Sequence, residues 1–536
     1  MPKIKRALLS VADKTNLIPL AESLRKTGCE LVSTGGTFKA LSQAGIPVRE
    51  ISEVTKNPEA FGGRVKTLSF QTSSGILFDR EKDREEADSL GVEQIDMVIC
   101  NFYPFEKAQK DHADLPTLIE NIDIGGPTMV RSAAKNYKHV AVVTDPADYS
   151  ALIVELNQEE GALSEETRRR LMCKAFNYTA DYDAMISMAM DSENGTQSLR
   201  LAFTEGKSLR YGENSHQKAL FYKERGAEGA LYDMRVLNGK ELSFNNLTDM
   251  NSAIDAVKDL KQQACAVIKH STPCGLAEGA NQLESLSLAW QGDPVSAFGS
   301  VIAFNTCLEE ETVKFFHLDD PDRSKRKFVE VIIAPQVTVK ALRILQKHKN
   351  LRVVECALPT MDLSYDLRYF KGSLLRQEQD AQLLNEAQCV TEKGDKHLDC
   401  TLMTFGLKAV CHVKSNAIVI VRKRENGTHQ LLGMGAGQPN RLTSVALAVE
   451  KCRLNLEEEY SGTSAGLELY IHEQLSQSIL VSEAFFPFSD SIDVCAKHGI
   501  KNVLQPGGSI RDQDVIDAAN KHEMVMVFTG LRHFKH

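Results

Sequence analysis

The stretch VIKHSTPCG, residues 267–275, ends an apolar run on a lysine and a histidine. A histidine takes up a proton near neutral pH, and a lysine steadies charge developing on a carbonyl oxygen. Successive side chains of a strand point to opposite faces, so Lys269 and His270 share a site only where the strand breaks. Pro273 and Gly275 supply such a break. The plainer reading is a surface lysine beside a hydrogen-bonded histidine, with Cys274 packed rather than nucleophilic.

A second group of motifs suits an anion. STGGT (residues 33–37) follows an apolar run and opens a helical pattern, so backbone N–H groups and the helix dipole face whatever binds there. SVADKT (10–15), GGRVKTL (62–68), NIDIGGPT (121–128) and SAAKNY (132–137) add lysines, an arginine, hydroxyls and a further Gly-Gly turn. Each alone also reads as an ordinary turn; together they point to a phosphate-bearing ligand. The sequence contains neither GxxxxGK[ST] nor a GxGxxG placed for a dinucleotide. In LRYGENSHQ (209–217) an arginine beside an aromatic suits a phosphate with a stacked ring, or else a solvated linker. DPVSAFG, VKSNA, GAGQPNR, FFPFSD and LRHFKH are further small-residue, amide or aromatic turns.

The elements that must position these groups alternate. Residues 7–11, ELVS, IPVREI, MVICNFY and HVAVVTD read as strands. The helical patterns between them place Leu17, Leu20, Ala21 and Leu24 on one face and stop at Gly28 and Gly45. Apolar strands separated by helices imply an α/β fold with a parallel sheet covered on both faces. A longer helix starts at Ser164, a good cap, with Leu171, Ala175, Tyr178, Tyr182 and Ile186 on one face. A polar stretch follows, and the domain boundary is expected near 193–207, giving domains 1–200 and 201–536. In the second part, the pattern of strand then polar turn at VIKHSTPCG and again at AVCHVKSNA suggests two related halves.

The chain has 536 residues, enough for several cores. A net charge of −9 argues against nucleic acid as a partner. Twelve cysteines without a CxxC pair read as reduced thiols, and the chain shows no membrane-length apolar run and no leader-like start, so a cytoplasmic protein is expected.

In order along the whole chain, SVADKT, STGGT, GGRVKTL, CNFYPF, IDIGG, AAKN, ETRRRL, LRYGENSHQ, KHSTPCG, SAFG, IIAP, VKSNA, GAGQPNR, AFFPFSD and LRHFKH resemble the bifunctional AICAR transformylase/IMP cyclohydrolase family of purine biosynthesis. The resemblance implies an N-terminal methylglyoxal-synthase-like, doubly wound cyclohydrolase domain and a C-terminal pair of cytidine-deaminase-like α/β lobes without catalytic zinc. It implies a homodimer with transformylase sites at the subunit interface. The implied reactions are formyl transfer from 10-formyltetrahydrofolate to AICAR, then closure of the product, FAICAR, to IMP with loss of water. Some members carry a structural potassium ion near the C-terminal lobes, whose ligands the sequence does not place.

By motif, the resemblance makes His270 the base on the attacking amine, Lys269 the cation at the formyl oxyanion, and Asn416 the amide that holds the formyl group. Arg210, Tyr211, Gly299, Glu330, Arg441, Phe485 and Arg532 match AICAR contacts. Leu442, Asp490, Ser509 and Ile510 match positions near folate. In the first domain Lys14, Thr34, Gly35, Gly36, Thr37, Arg64, Lys66, Thr67, Asn101, Asp123 and Ile124 match the nucleotide pocket. Lys66 is also placed among the catalytic groups, and Lys135 matches a proton donor/acceptor.

One departure stands out. The family usually continues KTL with His-Pro, and this chain has Ser69-Phe70. The alternative it raises is a transformylase whose first domain only binds nucleotide or regulates.

Overall fold

The computed structural model describes residues 3–57, 61, 65–227, 229, 231–358, 365–392 and 398–536. The chain forms two compact units, Met1–Ala202 and Phe203–His536.

The first unit is built on five strands: β1 (Arg6–Val11), β2 (Glu30–Ser33), β3 (Arg49–Glu50), β4 (Met97–Asn101) and β5 (Ala141–Val143). They pair in the order β3-β2-β1-β4-β5, all parallel. The sheet grows outward from β1 in one direction and then, from β4, in the other. β1 and β4 therefore flank the point where the strand order reverses. Leu8, Leu9, Val98, Ile99 and Val142 are buried on both faces, as the continuous apolar runs require. The 29-residue helix Glu165–Glu193 starts on Ser164, whose side chain accepts from Thr167 N–H, and packs through Leu171, Ala175 and Tyr182.

The second unit opens with an exposed hairpin, β6 (Phe203–Ser208) and β7 (Leu220–Glu224). Next come β8 (Arg235–Asn238), β9 (Gln263–Lys269), β10 (Thr272–Gly279), β11 (Ser300–Phe304), β12 (Val329–Ala334) and β13 (Arg352–Glu355). A second exposed hairpin, β14 (Tyr365–Phe370) and β15 (Ser373–Glu378), leads to β16 (Gln388–Cys389), β17 (Ile418–Lys423), β18 (His429–Gly435), β19 (Ile479–Ser482), β20 (Asn502–Gln505) and β21 (Val525–Phe528).

Twelve of these strands make one sheet in the order β16-β21-β20-β19-β17-β18-β10-β9-β11-β12-β13-β8. Its two halves repeat one plan. Each is an antiparallel hairpin whose first strand lies inward, followed by three parallel strands stacked in chain order. The halves join where β10 pairs antiparallel with β18, at Ala277↔Gln430 and Glu278↔His429. Alternation along the strands divides the core. Ala264, Ala266 and Ile268 of β9, with Val419 and Val421 of β17, face a layer shared by both lobes and the helices Phe244–Lys258 and Cys400–Cys411. Cys265 and Val267 face one separate cluster, and Ile418 and Ile420 another.

Two related halves are present, but not through the motifs that suggested them. VIKHSTPCG spans the β9–β10 turn, whereas VKSNA joins the helix Cys400–Cys411 to β17, a different point of the repeat.

Candidate functional site

In the first unit, Asn101 ends β4 and is buried. Its Oδ1 accepts Asp13 N–H at 2.8 Å and its Nδ2 donates to Asp13 O at 2.9 Å. The Thr37 hydroxyl makes the same double contact with Val11, 3.0 Å to N and to O. These two side chains fix the SVADKT loop at the carboxyl end of β1, where open α/β sheets bind ligands. Thr34 stands at the cap of the helix Gly35–Gln43 in extended conformation, with Oγ1 3.3 Å from Ser10 Oγ and no bond into the helix. The first N–H groups of that helix, at Gly35 and Gly36, thus face outward with the positive end of the dipole. Two ammonium groups lie over them. A Cβ at Gly35 would stand 3.7 Å from Lys66 Nζ, and one at Gly36 3.9 Å from Lys14 Nζ. Arg64 lies outside the described residues.

Thr67 is buried with its hydroxyl against Gly125, where a Cβ would come within 2.7 Å. Asp123 accepts the N–H groups of Gly126, at 2.8 Å, and of Tyr103. Its own N–H donates to the Tyr182 hydroxyl at 2.8 Å, and that hydroxyl lies 3.2 Å from Asn121 O. Burial raises the Asp123 carboxyl above its ordinary range, more than the two N–H groups lower it. A carboxyl raised by burial and held by two N–H groups suits proton transfer. Ile124 is exposed at the start of the helix Gly125–Lys135. Lys135 is exposed on its last turn, ten residues or about 15 Å along the axis from Gly125. The helix therefore sets Lys135 apart from the other predicted residues.

Sequence reasoning missed Tyr178 and Tyr182 as site supports, taking them only as core. Tyr178 OH accepts Phe102 N–H at 3.0 Å, and the Phe102 ring sits 4.5 and 4.9 Å from the two tyrosine rings. Their i, i+4 spacing on one helix face was the available signal.

The KTL-Ser-Phe segment also has a physical explanation. Ser69 caps the helix Phe70–Leu77, its Oγ accepting Thr72 N–H at 3.0 Å. Phe70 occupies the first helical position, where proline is favoured in other sequences. A good cap thus stands in for the missing proline. The far end of this helix is tied down by Asn136 of AAKN, which donates to Ile76 O and Phe78 O.

In the second unit the strand break comes from a different place than expected. His270 and Ser271 both have left-handed φ, 52° and 59°, and form a two-residue turn between the paired Lys269 and Thr272. Pro273 lies inside β10, at a shift of register that ends at Gly275. Lys269 Nζ donates to Phe298 O at 2.8 Å and to Gly299 O at 3.1 Å, while His270 is exposed. Gly299 has φ 71°, and a Cβ there would lie 3.2 Å from Lys269 Nζ. Burial pushes the Cys274 thiol up to about 12, which suits a packed side chain.

Asn416 precedes β17. Its Nδ2 donates to Gln438 O at 2.7 Å and its Oδ1 accepts from Arg441 at 2.8 Å. Arg441 also donates to Ser482 and to the fully buried Glu483, each at 3.1 Å. Asn416 lines a cavity of about 310 Å³ with Gly437, Gln438, Phe534 and His536.

The pairings put the end of β9, the starts of β11, β12 and β17, and the ends of β18, β19 and β20 at one edge of the sheet. Glu330 is at that edge, bound to Arg352 at 2.8 Å. Phe485 is 37% exposed and Ile510 fully so. Asp490 opens the helix Asp490–Lys497, Ser509 N–H donates to Asp512, and Leu442 lies in the first turn of the helix Arg441–Glu459. The Arg210 guanidinium is 5.2 Å from the Tyr211 ring, and that of Arg532 4.8 Å from Phe534. Lys269 and Asn416 share the edge but are three strand spacings apart, about 14 Å.

Among the described residues, one trio, Asp380, Cys411 and His533, brings metal-type ligand atoms together. Both ring nitrogens of His533 are engaged, by Asp380 at 2.8 Å and Leu383 O at 2.9 Å, and burial pushes the Cys411 thiol up to about 12. A thiol and an imidazole do not suit potassium, which wants oxygen ligands, and no step is derived through that ion.

Cations over a helix start in one unit, and a lysine, a histidine and a fixed amide at one sheet edge in the other, are two arrangements that suit anionic groups. The AICARFT/IMPCHase bienzyme model matches residues 133–451, and the MGS-like domain model matches residues 16–128. A protein of Acetivibrio thermocellus, "Bifunctional purine biosynthesis protein PurH", is 42% identical, with 99% of this chain and all of that protein covered. Its Neisseria meningitidis serogroup C namesake is 42% identical over the full length of both. A solved structure described as "Crystal structure of ForH" is 38% identical over 34% of this chain and 97% of its own, with a TM-score of 0.32. The chain belongs to the AICARFT/IMPCHase bienzyme family.

Proposed function

We propose that this chain catalyses the last two steps of IMP synthesis, with residues 201–536 transferring a formyl group from 10-formyltetrahydrofolate to AICAR and residues 1–200 closing FAICAR to IMP. The observation that carries this reading is the Lys269–His270 turn with Asn416 at the same sheet edge, in a chain that also holds the Lys14–Lys66 anion site.

In formyl transfer, the amine of AICAR attacks the formyl carbon while His270 takes its proton. An aromatic amine is a poor nucleophile, so removal of that proton and stabilisation of the adduct both matter. Lys269 faces the developing oxyanion, and the spare N–H of Asn416 donates to the same oxygen. As the carbonyl re-forms, the C–N10 bond breaks and N10 takes the proton held by His270, so tetrahydrofolate leaves neutral at that nitrogen. Arg210, Tyr211, Gly299, Glu330, Arg441, Phe485 and Arg532 receive the nucleotide, and Leu442, Asp490, Ser509 and Ile510 the folate. The 14 Å between Lys269 and Asn416 supports a homodimer in which one copy supplies the turn and its partner the amide.

In ring closure, the carboxamide nitrogen attacks the formyl carbon of the same molecule, and water leaves. Positioning does much of this work. Lys14, Lys66, Arg64 and the helix start hold the phosphate and steady the oxyanion, and Asp123 moves a proton. Lys135, matched by motif, stands at the far end of its helix and is assigned no step. The Ser69 cap gives the start of the helix Phe70–Leu77 the stiffness that His-Pro would, and the relatives matched over their full length are named bifunctional, which favours ring closure over nucleotide binding alone. The reading places the protein in the cytoplasm; among the described residues no helix is long and apolar enough to cross a membrane.

The test supplies purified protein with FAICAR alone and follows IMP, then with AICAR and 10-formyltetrahydrofolate. Both conversions are expected. Formyl transfer without ring closure above the spontaneous rate would overturn the two-step assignment.

A further inference from the structure

The turn that carries Lys269 and His270 has two backbone N–H groups to satisfy. In a two-residue hairpin the ladder is closed by the residues on either side, here Lys269 and Thr272, and the N–H groups of the two central residues point away from it. Those residues, His270 and Ser271, are both left-handed, a shape for which Asn-Gly is the favoured pair. His-Ser does not favour this turn by itself. Something outside the hairpin must hold it.

One of them, Ser271 N–H, runs to a carboxylate that the other also faces. Ser271 N–H donates to Asp249 Oδ1 at 2.7 Å, the Ser271 hydroxyl lies 3.5 Å from the same oxygen, and His270 N–H faces the same group. Successive turn N–H groups make a concave anion site. Here the chain's own side chain occupies it. Asp249 is in the second turn of the helix Phe244–Lys258, which begins on a reciprocal Ser243–Asn246 capping box. Met250, Ala253, Ile254 and Val257 seat that helix in the same core layer as Ala266 and Ile268 of β9. The carboxylate is therefore anchored on a rigid element, directly beneath the turn it holds.

We propose that Asp249 is a positioning residue for formyl transfer: it holds the His270–Ser271 turn in its left-handed shape and so aims His270 at the attacking amine. The proposal rests on the reading of His270 as the base. Asp249 itself is assigned no contact with substrate.

The test is a double-mutant cycle on the full chain, with Asp249→Ala, Asp249→Asn, His270→Ala and Asp249→Ala/His270→Ala. Asp249→Ala is expected to lower kcat for formyl transfer about 10- to 100-fold, with KM for AICAR and for the folate changed by less than about threefold. Asp249→Asn keeps an acceptor oxygen and is expected to recover most of the rate, which also separates positioning from failure to fold. In the His270→Ala background, Asp249→Ala is expected to cost nothing more. Losses that multiply in the double variant, a wild-type rate in Asp249→Ala, or an Asn variant no better than Ala would each overturn the positioning role. Intact formyl transfer in His270→Ala would instead overturn the assignment of the base.

Discussion

Asn416 Oδ1 accepts a 2.8 Å hydrogen bond from Arg441, which turns the amide so that its nitrogen faces Gln438 O and the cavity. Without that guanidinium the amide keeps one anchor, Nδ2 on Gln438 O, in place of two. The same guanidinium neutralises Glu483, which has no exposed surface.

Arg441→Ala leaves the buried Glu483 carboxylate without its counter-ion, with the Ser415 hydroxyl as its remaining partner, which should cost about 3 kcal/mol. Arg441→Met with Glu483→Gln is expected to recover most of that stability in denaturant melts while formyl transfer stays depressed. Full recovery of the transfer rate would show that Arg441 does not orient Asn416.

Gly299→Ala places a methyl in a left-handed position and 3.2 Å from Lys269 Nζ. The neighbouring carbonyls of residues 298 and 299 are the two that hold this ammonium. Formyl transfer is expected to fall at least about tenfold, an effect of roughly 1.4 kcal/mol or more, with FAICAR closure unchanged. Assaying the two reactions separately checks it; equal losses in both would point to general misfolding.

Ser69→Ala removes the cap of the helix Phe70–Leu77 and should destabilise the first unit by about 1 kcal/mol. Ser69→Asp should retain the stability, since aspartate caps as well. Lys66→Ala, by contrast, is expected to abolish ring closure with little change in melting temperature. Ring closure that survives Lys66→Ala would remove that lysine from the site.

Tyr182→Phe takes away the oxygen that receives Asp123 N–H. A buried donor left without a partner costs about 1–3 kcal/mol, and the Asp123 loop should shift. Slower ring closure with unaltered formyl transfer is the expected pattern. An unchanged closure rate would leave Tyr182 as core alone.

Glu278 and His429 meet at the seam between the lobes, 3.0 Å apart and both buried. Burial raises the Glu278 carboxyl, but the His429 ring and Gln262 N–H more than offset this and hold it below the ordinary value of 4.5. A carboxylate that titrates lower when folded contributes stability above its unfolded value, and the contribution is lost as pH falls through the folded one. Between pH 5 and 3 the stability of Glu278→Gln should therefore decline less steeply than that of the wild type. Equal slopes in denaturant melts across that range would contradict the linkage.

Much of this organisation was legible in the residues. Apolar runs placed the strands of both units, and Gly-Gly turns after strands marked the anion site, because a fully buried parallel strand and a tight turn each constrain local composition. Long-range partners were not legible. Asp249 acts on Ser271 from 22 residues away, and nothing in NLTDMNSA signals a turn-holding carboxylate. The break after Lys269 was assigned to Pro273 and Gly275 because those residues favour turns, yet an outside hydrogen bond places it at His270–Ser271. The hairpins β6–β7 and β14–β15 escaped notice because, exposed on both faces, they lack the apolar run that marks a buried strand.

The outermost strands of the large sheet carry a consequence for synthesis of the chain. β16 pairs with β21, more than a hundred residues later, and Ser415 N–H donates to Lys535 O while the Ser415 hydroxyl accepts Lys535 N–H. The second lobe cannot close while those residues are still inside the ribosome. Its closure is a step of high contact order that waits for residues 527–535, whereas the first lobe has all of its strands by residue 355. The edge that includes Asn416 and Arg441 is thus completed last, because the bonds that hold Ser415 beside Asn416 come from Lys535.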